Sequence, residues 1–451
     1  MKTFASAIFV TSLALSSLAM ALPLTDIPSL IDRKNGEVAA ARKDVDGATD
    51  GAAVAWARHL PSIHWRNTYV HLGNDIQLQL PAQSLNLGAL GNYALALPPI
   101  TIQKQDIYLS ALTASFPIFA GGRINAGIDA AYAQKDEARA TLKKTSQEKT
   151  QEAVARYFGA QLARRVNTIL DDMAANLDRM RAISESMLKT GLGTRFAVLQ
   201  IKVAQADLAS RREEAKGKVQ LADLAFKTTT GIPAAEEVAY ETPFKKVQLP
   251  GTLDDLKAAA LTKRSEFEVL SAKAKQADAL RRVHVGEMLP TVALVGTKQL
   301  TTTTLPVIQP PWAVGILIDV PLTNWISGMA ERERVVKMEE KVEILRAHAK
   351  EQVPLEVEKL YREAVSTQAA FAATEEGLGL AQEALRLAEV RFKSGGGSAV
   401  ELLRATTDLE KAEINNLRLL VEFNEKVLDL CRAAGDVNRF LDFYRVEKEG
   451  T

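Results

Sequence analysis

The sequence predicts a two-part fold: a membrane β-barrel to which one chain contributes only four strands, joined to long α-helices with coiled-coil spacing. Three observations carry that prediction. The chain is a duplication. Each copy holds a helical run far longer than an ordinary globular helix. The segments between helices alternate apolar and polar residues over the length that a tilted strand needs to cross a bilayer.

Internal repeats set the frame. Ser115-Phe116-Pro117-Ile118 and Asp319-Val320-Pro321-Leu322 stand 204 residues apart. The turns KTGLGT (Lys189–Thr194) and KSGGGS (Lys393–Ser398) keep that offset, and Val198-Leu199 matches Leu402-Leu403. A second pair, Leu60-Pro61 and Leu289-Pro290, stands 229 apart, so the first copy is longer by 25 residues upstream of Phe116. With residues 1–21 set apart as a signal, the copies cover 22–230 and 253–451. The join at 231–252 holds three prolines and no helical period, which reads as a linker or a small structured crossing at the equator. Each copy runs helix, strand, loop, strand, long helix, glycine stop, helix.

The helical runs come first in length. They span about Asn125–Lys189 and Ser327–Lys393, and at 1.5 Å per residue each approaches roughly 100 Å. Pro354 interrupts the second run and predicts a kink there. Leu378, Ala381, Leu385, Ala388 and Phe392 step by three and four, and so do Leu402, Ala405, Leu409, Ala412, Asn416, Leu419 and Phe423. Such a seam serves a coiled coil or the core of a helical bundle. Glycine ends each run because it enters the left-handed conformation without steric cost; KSGGGS alone also fits a flexible linker.

The strands follow. In WAVGILIDVPL, Trp312, Val314, Ile316, Ile318, Val320 and Leu322 share one face, with Ala313, Gly315, Leu317, Asp319 and Pro321 on the other. YLSALTASFPIF puts Tyr108, Leu112, Phe116 and Ile118 opposite Thr113 and Ser115. LPSIHWRNTYV puts Ile63, Trp65 and Tyr69 opposite His64, Arg66 and Thr68, while LPTVALVGTKQL alternates less clearly. Trp65, Tyr69, Tyr108 and Trp312 suit the membrane interface. A spanning barrel needs at least about eight strands, because open edges cannot face lipid. Four strands therefore require oligomerisation, and three copies give twelve; a soluble four-stranded sheet packed on helices is the other reading. The loops within the two strand pairs cover about Gly73–Asp106 and Thr301–Pro311.

The chain opens MKTFASAIFVTSLALSSLAMA, with a positive Lys2, an apolar or small stretch from Phe4 to Met20, and Ala19-Met20-Ala21 as a small-x-small site. These features predict a secretory signal over residues 1–21, cleaved after Ala21. No cysteine stands at the cut to carry a lipid. Beyond Lys2 the chain carries 55 basic and 55 acidic residues, a balance that excludes the basic footprint of a nucleic-acid partner. The single Cys431 excludes an internal disulfide framework and a cysteine-based zinc site.

No enzyme emerges, and no metal or cofactor is expected. The histidines at 59, 64, 71, 284 and 348 lack metal-ligand spacing. Ser146-Gln147-Glu148-Lys149 and Lys189-Thr190-Gly191 mimic two motifs of penicillin-recognising hydrolases, but that chemistry needs the second on a strand, and here it ends a helical run. No phosphate-binding glycine loop appears, so energy for any transport comes from a partner.

Taken in order and duplicated, these pieces resemble the outer membrane efflux protein family, the TolC-like channels. The resemblance covers nearly the whole chain after the signal. It rests on LPSIHWRNTY and LPTVALVGT as strand openings and on SFPIFAGGRINA and DVPLTNWISGMA as strand-to-helix junctions. It rests also on the two turns, KTGLGT…VLQIKVAQADL and KSGGGSAVELLRATTDL. The resemblance implies a homotrimer with a twelve-stranded barrel in the outer membrane of a Gram-negative bacterium, continued by a helical tunnel in the periplasm. It implies an exit duct of a tripartite efflux or type I secretion system, passive, fed by an inner-membrane pump through a periplasmic adaptor (membrane fusion) protein. The competing class is a soluble periplasmic coiled-coil scaffold or adaptor.

In the family the glycine turns sit at the periplasmic tip and dock the adaptor. Gly191, Leu192, Gly193 and Thr194 match one docking turn, and Gly395, Gly396, Gly397 and Ser398 the other. Glu401 matches an acidic ring position of the periplasmic gate. Arg404 and Ala197 stand where the family's best-known member has acids, and Phe392 where it has a tyrosine, so one hydroxyl tether is lost. Glu401 and Arg404, three apart, are placed to pair on one helix face.

Overall fold

The structure, a computed structural model, describes residues 20–81, 83–95, 98–303, 310–394 and 396–445. Residues 1–19 of the predicted signal, 304–309 of the second loop, and Gly395 lie outside the described residues.

The elements of the first half are β1 (Met20–Leu22), α1 (Ile27–Lys34), α2 (Gly36–Ala57), β2 (Ser62–His71), β3 (Ile76–Leu78), β4 (Gln83–Asn86), β5 (Asn92–Leu95), β6 (Ile100–Gln103), β7 (Asp106–Ala120), α3 (Arg123–Lys189) and α4 (Arg195–Thr230). The second half adds β8 (Val238–Tyr240), α5 (Leu253–Lys263), α6 (Ser265–Glu287), β9 (Thr291–Thr302), β10 (Trp312–Asp319), α7 (Asn324–Lys393), α8 (Ala399–Ala433) and α9 (Asn438–Arg445). Helices α3 and α7 run for 67 and 70 residues, and α7 continues through Pro354 as one element.

The chain divides into two units. One comprises the described residues of 1–45, 138–270 and 345–451; the other comprises 46–137 and 271–344. Turns of α2, α3, α6 and α7 belong to both.

The first unit is built twice on one plan. Helix α1 stops at Asn35 and α5 stops at Arg264, both extended and 229 residues apart. Leu24, Ile27 and Ile31 are matched, at that same offset, by Leu253, Leu256 and Ala260. Ala153, Tyr157 and Phe226 are matched at the 204 offset by Val357, Tyr361 and Leu430. Each trio buries apolar surface against its neighbour trio, so each copy has its own core. The glycines that end α4 and α8, Gly231 (φ 71°) and Gly435 (φ 89°), are also 204 apart. Each lies against the last turn of the α1-type helix of its own copy. A Cβ on Gly231 would overlap the Lys34 carbonyl, with Lys34 C at 2.9 Å, and one on Gly435 would lie 2.8 Å from Lys263 C.

The first core is the larger because later segments join it. The join at 231–252 is a structured crossing: β8 pairs in parallel with β1, and Val238, Val247 and Ile232 are buried. Helix α9 adds Phe440 and Leu441. Tyr157 meets Phe226 and Tyr240 edge-on at 5.7 and 4.9 Å, an arrangement the ring quadrupoles favour. Its hydroxyl donates to Leu22 O at 2.9 Å and accepts from Thr242 N at 3.1 Å, which ties β1 and the crossing to α3. Cys431 is buried in this core, where desolvation pushes its thiol up to about 12, so it is inert packing.

The second unit is built around one four-stranded antiparallel sheet, ordered β10-β9-β7-β2. Two bulges bend it. Leu300 is the extra residue of β9 between the pairs Ser110–Thr301 and Ala111–Gln299, and Ile118 is the extra residue of β7 between Pro117–Ala293 and Phe119–Val292. Each bulge shifts the face parity of its own strand by one residue; β9 alternates less clearly in sequence because Gly296 and Lys298 share the face of Leu294 while Ala293 and Val295 stand on the other. The stretch Gly73–Asp106 forms two small hairpins, β3 with β6 and β4 with β5.

Candidate functional site

The sheet has one greasy face and one wet face. Paired residues of neighbouring strands point the same way, so the register assigns the faces. Trp65 pairs with Leu112, Leu112 with Lys298, and Lys298 with Trp312. On that face also stand Ile63, Tyr69, Tyr108, Phe116, Leu294, Val314 and Ile316, most of them exposed. Several polar groups on this face pair with one another. Trp65 Nε1 donates to Ser110 Oγ at 3.0 Å, Tyr69 donates to Asp106 at 2.8 Å, and His71 Nδ1 lies 2.8 Å from the same carboxylate. The opposite face carries Ser62, His64, Arg66, Thr68, Thr113, Ser115, Thr297 and Gln299. All four aromatics singled out from sequence, Trp65, Tyr69, Tyr108 and Trp312, fall on the apolar face. Strands β2 and β10 are edges, exposed along their whole length. An exposed apolar face bounded by two open edges is not a finished soluble surface.

The glycine turns of the first unit are near copies in hydrogen bonding. In the first, Gly191 takes φ 74° and the N–H groups of Leu192 and Gly193 both donate to Met187 O at 2.9 Å. In the second, Gly396 and Gly397 both donate to Arg391 O at 2.9 Å. Thr194 caps α4 by accepting from Ala197 N at 3.2 Å, and Ser398 caps α8 by accepting from Glu401 N at 3.1 Å. A Cβ on Gly193 or Gly397 would sit 3.0 Å from backbone nitrogen of the turn before it. Glycine is therefore required by each turn's own closure.

Below the turns, α3, α4, α7 and α8 pack together through Leu170, Leu177, Met180, Ile201, Leu208, Ala388, Phe392 and Leu402. Both predicted seams face inward, but α8 also has a second buried stripe, Ala399, Leu402, Thr406 and Glu410. Glu410, 3% exposed, takes a bidentate grip from Arg211 of α4, which fastens one hairpin to the other. This pair escaped sequence reading; the three- and four-residue steps from Ala399 to Glu410 were the available signal. Between the turns lies a cavity of about 380 Å³ lined by Met187, Leu192, Gly193, Phe196, Phe392 and Val400. Leu192 stands 80% exposed at its rim.

The three residues assigned to a gate lie close in the chain but play different parts. Phe392 is 3% exposed and belongs to the four-helix core. Glu401 pairs across its hairpin with Arg391 at 3.0 Å, not along the helix with Arg404. The Ser398 cap fixes the first turn of α8 and sets the Glu401 carboxylate facing α7. Arg404 is 86% exposed and reaches Asp408 at 3.9 Å.

The hydrolase mimic dissolves in the same unit. Ser146 donates to Asp32 at 2.8 Å. Lys149, which would have to lose a proton to act as a base, is held protonated by Glu37 at 2.6 Å and Glu152 at 3.0 Å, which raise its pKa. Among the described residues no cluster of His, Cys, Asp or Glu is arranged to hold a metal, and no helix is long and apolar enough to cross a membrane.

Comparison with known proteins follows the same outline. The profile of the outer membrane efflux protein family matches residues 27–231 and 256–436. The fold is similar to that of the Campylobacter jejuni CmeC outer membrane channel, with a TM-score of 0.73 at 13% identity, covering 93% of this chain and 88% of that one. It is similar to the open state of the Neisseria gonorrhoeae MtrE outer membrane channel, with a TM-score of 0.73 at 17% identity, covering 92% and 89%. VceC from Vibrio cholerae, an outer membrane protein, gives 0.71 at 16% identity, covering 92% and 96%. No protein of the curated set matches the sequence.

Proposed function

This chain belongs to the outer membrane efflux protein family, and from that premise we infer how it works as an exit duct. It is a channel subunit, not an enzyme. Three copies close a twelve-stranded barrel, because each brings four strands and two free edges. The observation that carries this reading is the sheet itself, whose apolar face suits lipid and whose polar face suits a water-filled lumen. The soluble-scaffold alternative leaves that face and both edges without a purpose.

The finer assignments are our reading of the same molecule. The barrel sits in the outer membrane of a Gram-negative bacterium, reached through the signal at 1–21, with Trp65, Tyr69, Tyr108 and Trp312 at the lipid interface. The turns Gly191–Thr194 and Gly395–Ser398 dock a periplasmic adaptor, which links the duct to an inner-membrane pump; that pump supplies the energy and chooses the cargo. Two features of the turns support docking. Their glycines leave bare backbone for a partner to approach, and Leu192 projects into solvent beside an apolar cavity. Glu401, Arg404 and Phe392 form the gate region. With Glu401 neutralised by Arg391, this gate lacks the free acidic ring that favours cations.

A photoreactive residue at Leu192, activated in living cells, tests the docking. Capture of a periplasmic protein bearing a helical hairpin is expected. Trimers present in the outer membrane with nothing captured at Leu192 would reduce the turn to a helix reversal.

A further inference from the structure

We propose that the barrel lumen prefers anions, and that a ring of Arg66, one from each copy, sets the preference. The proposal rests on the exit-duct reading and adds the charge class of the solutes that the barrel passes most readily.

The register places Arg66 on the wet face. It pairs with Ala111 of β7, which pairs with Gln299 of β9, and its strand neighbours on that face are His64 and Thr68. Trp65 and Asn67, on either side in sequence, point to the lipid face. Arg66 is exposed, and no hydrogen bond or ion pair holds it among the described residues. The rest of the paired wet face is hydroxyl, amide, imidazole or apolar, with one acid, Asp319, at the far end of β10 opposite Thr291. On β7 the row of Arg66 passes through Ala111 and the row of Asp319 through Ala120. At ~3.3 Å per residue those rows are roughly 30 Å apart along the strands. The Debye length at physiological salt is only about 8 Å, so Asp319 cannot offset the guanidinium. Closing three copies therefore gives a lumen band with three fixed positive charges and no acid at the same level. Rings of Arg or Lys favour anions in the same way that acidic rings favour cations.

Lys298 supplies an internal control. It carries the same charge but stands on the apolar face, between Leu112 and Trp312 in register. Neutralising it removes the same three charges from the trimer without touching the lumen.

The test is the reversal potential of purified trimers in planar bilayers under a potassium chloride gradient, for the wild type, Arg66→Gln, Arg66→Glu and Lys298→Gln. Each variant is first checked for trimers on a gel. The wild type is expected to pass chloride over potassium, Arg66→Gln to lower that ratio by about twofold or more, and Arg66→Glu to reverse it. Lys298→Gln should leave the ratio unchanged. Conducting Arg66→Glu trimers with the wild-type reversal potential would overturn the proposal while leaving the duct intact. An equal shift from Lys298→Gln would overturn the assignment of faces. Wild-type trimers that never conduct would instead strike at the duct reading.

Discussion

Replacing Gly231 by alanine should cost the first unit about 2–5 kcal/mol, from two separable sources. The residue closes α4 at φ 71°, and a side chain in that left-handed region costs roughly 1–2 kcal/mol. The new Cβ would also overlap the Lys34 carbonyl oxygen and lie 2.9 Å from its carbon and 3.1 Å from its Cβ. That neighbour cannot easily retreat. Lys34 is the last residue of α1, and Asn35 after it is anchored by its amide to Thr229 O at 2.7 Å and by its oxygen to Val38 N at 3.0 Å. Forcing a methyl into such a site costs a further ~1–3 kcal/mol. Gly191 separates the two sources. Its φ is 74°, yet a Cβ there meets nothing within 4 Å, so Gly191→Ala should cost only the first ~1–2 kcal/mol. Unfolding of purified trimers in urea, followed by far-ultraviolet circular dichroism, compares them. Gly231→Ala should unfold about fivefold or more faster than Gly191→Ala, with Gly435→Ala beside it. If Gly231→Ala proves as mild as Gly191→Ala, the close approach of α4 to α1 is not what demands glycine.

Two further predictions concern α8. Burial, with Asp429 and Glu422 adding like charge, raises the Glu425 carboxyl to about 7 from 4.5. The folded chain then binds that proton more tightly than the unfolded chain does, so this contribution is full below pH 4.5 and is lost as pH rises to 7. Glu425→Gln should flatten that slope and stabilise the protein at pH 8 by up to roughly 3 kcal/mol, read from urea midpoints across pH. Glu410→Ala removes the buried partner of Arg211. Because the Arg211 side chain keeps about a third of its surface in water, the cost should be about 1–3 kcal/mol rather than that of a fully stranded ion. Limited proteolysis should show the turn region cut sooner.

The legible parts of the fold were those with a strong period. Helices α3 and α7 emerge within three residues of the sequence reading, because heptad spacing and a closing glycine are local signals. The faces of β2 and β10, and of β7 as far as Phe116, are also as the alternation implies; at Ile118 the bulge interrupts it. What sequence could not show was set by contacts distant in the chain. The hairpins inside Gly73–Asp106 have weak alternation and short strands. The pairing of Gly231 with Lys34, and of Gly435 with Lys263, needs the two ends of each copy in one place. Glu401 was expected to pair with Arg404, three residues on. The serine cap fixes that first turn, and the hairpin brings Arg391 across from α7, so the cross-hairpin partner wins. Pro354 was expected to kink its run; α7 continues through it as one element, since one missing hydrogen bond is outweighed by packing on either side, including Val353 and Val357 in the second core.

The two open edges of the sheet have a genetic consequence. A chain damaged only in β10 still presents an intact β2, so it is still recruited into assemblies that it cannot complete. When such a chain is made alongside an equal amount of sound protein and partners are drawn at random, only about one trimer in eight contains three sound copies. A lesion confined to one edge of β2 or β10 is therefore inherited as a poison, whereas a lesion that prevents the chain from folding at all merely withdraws it from the pool.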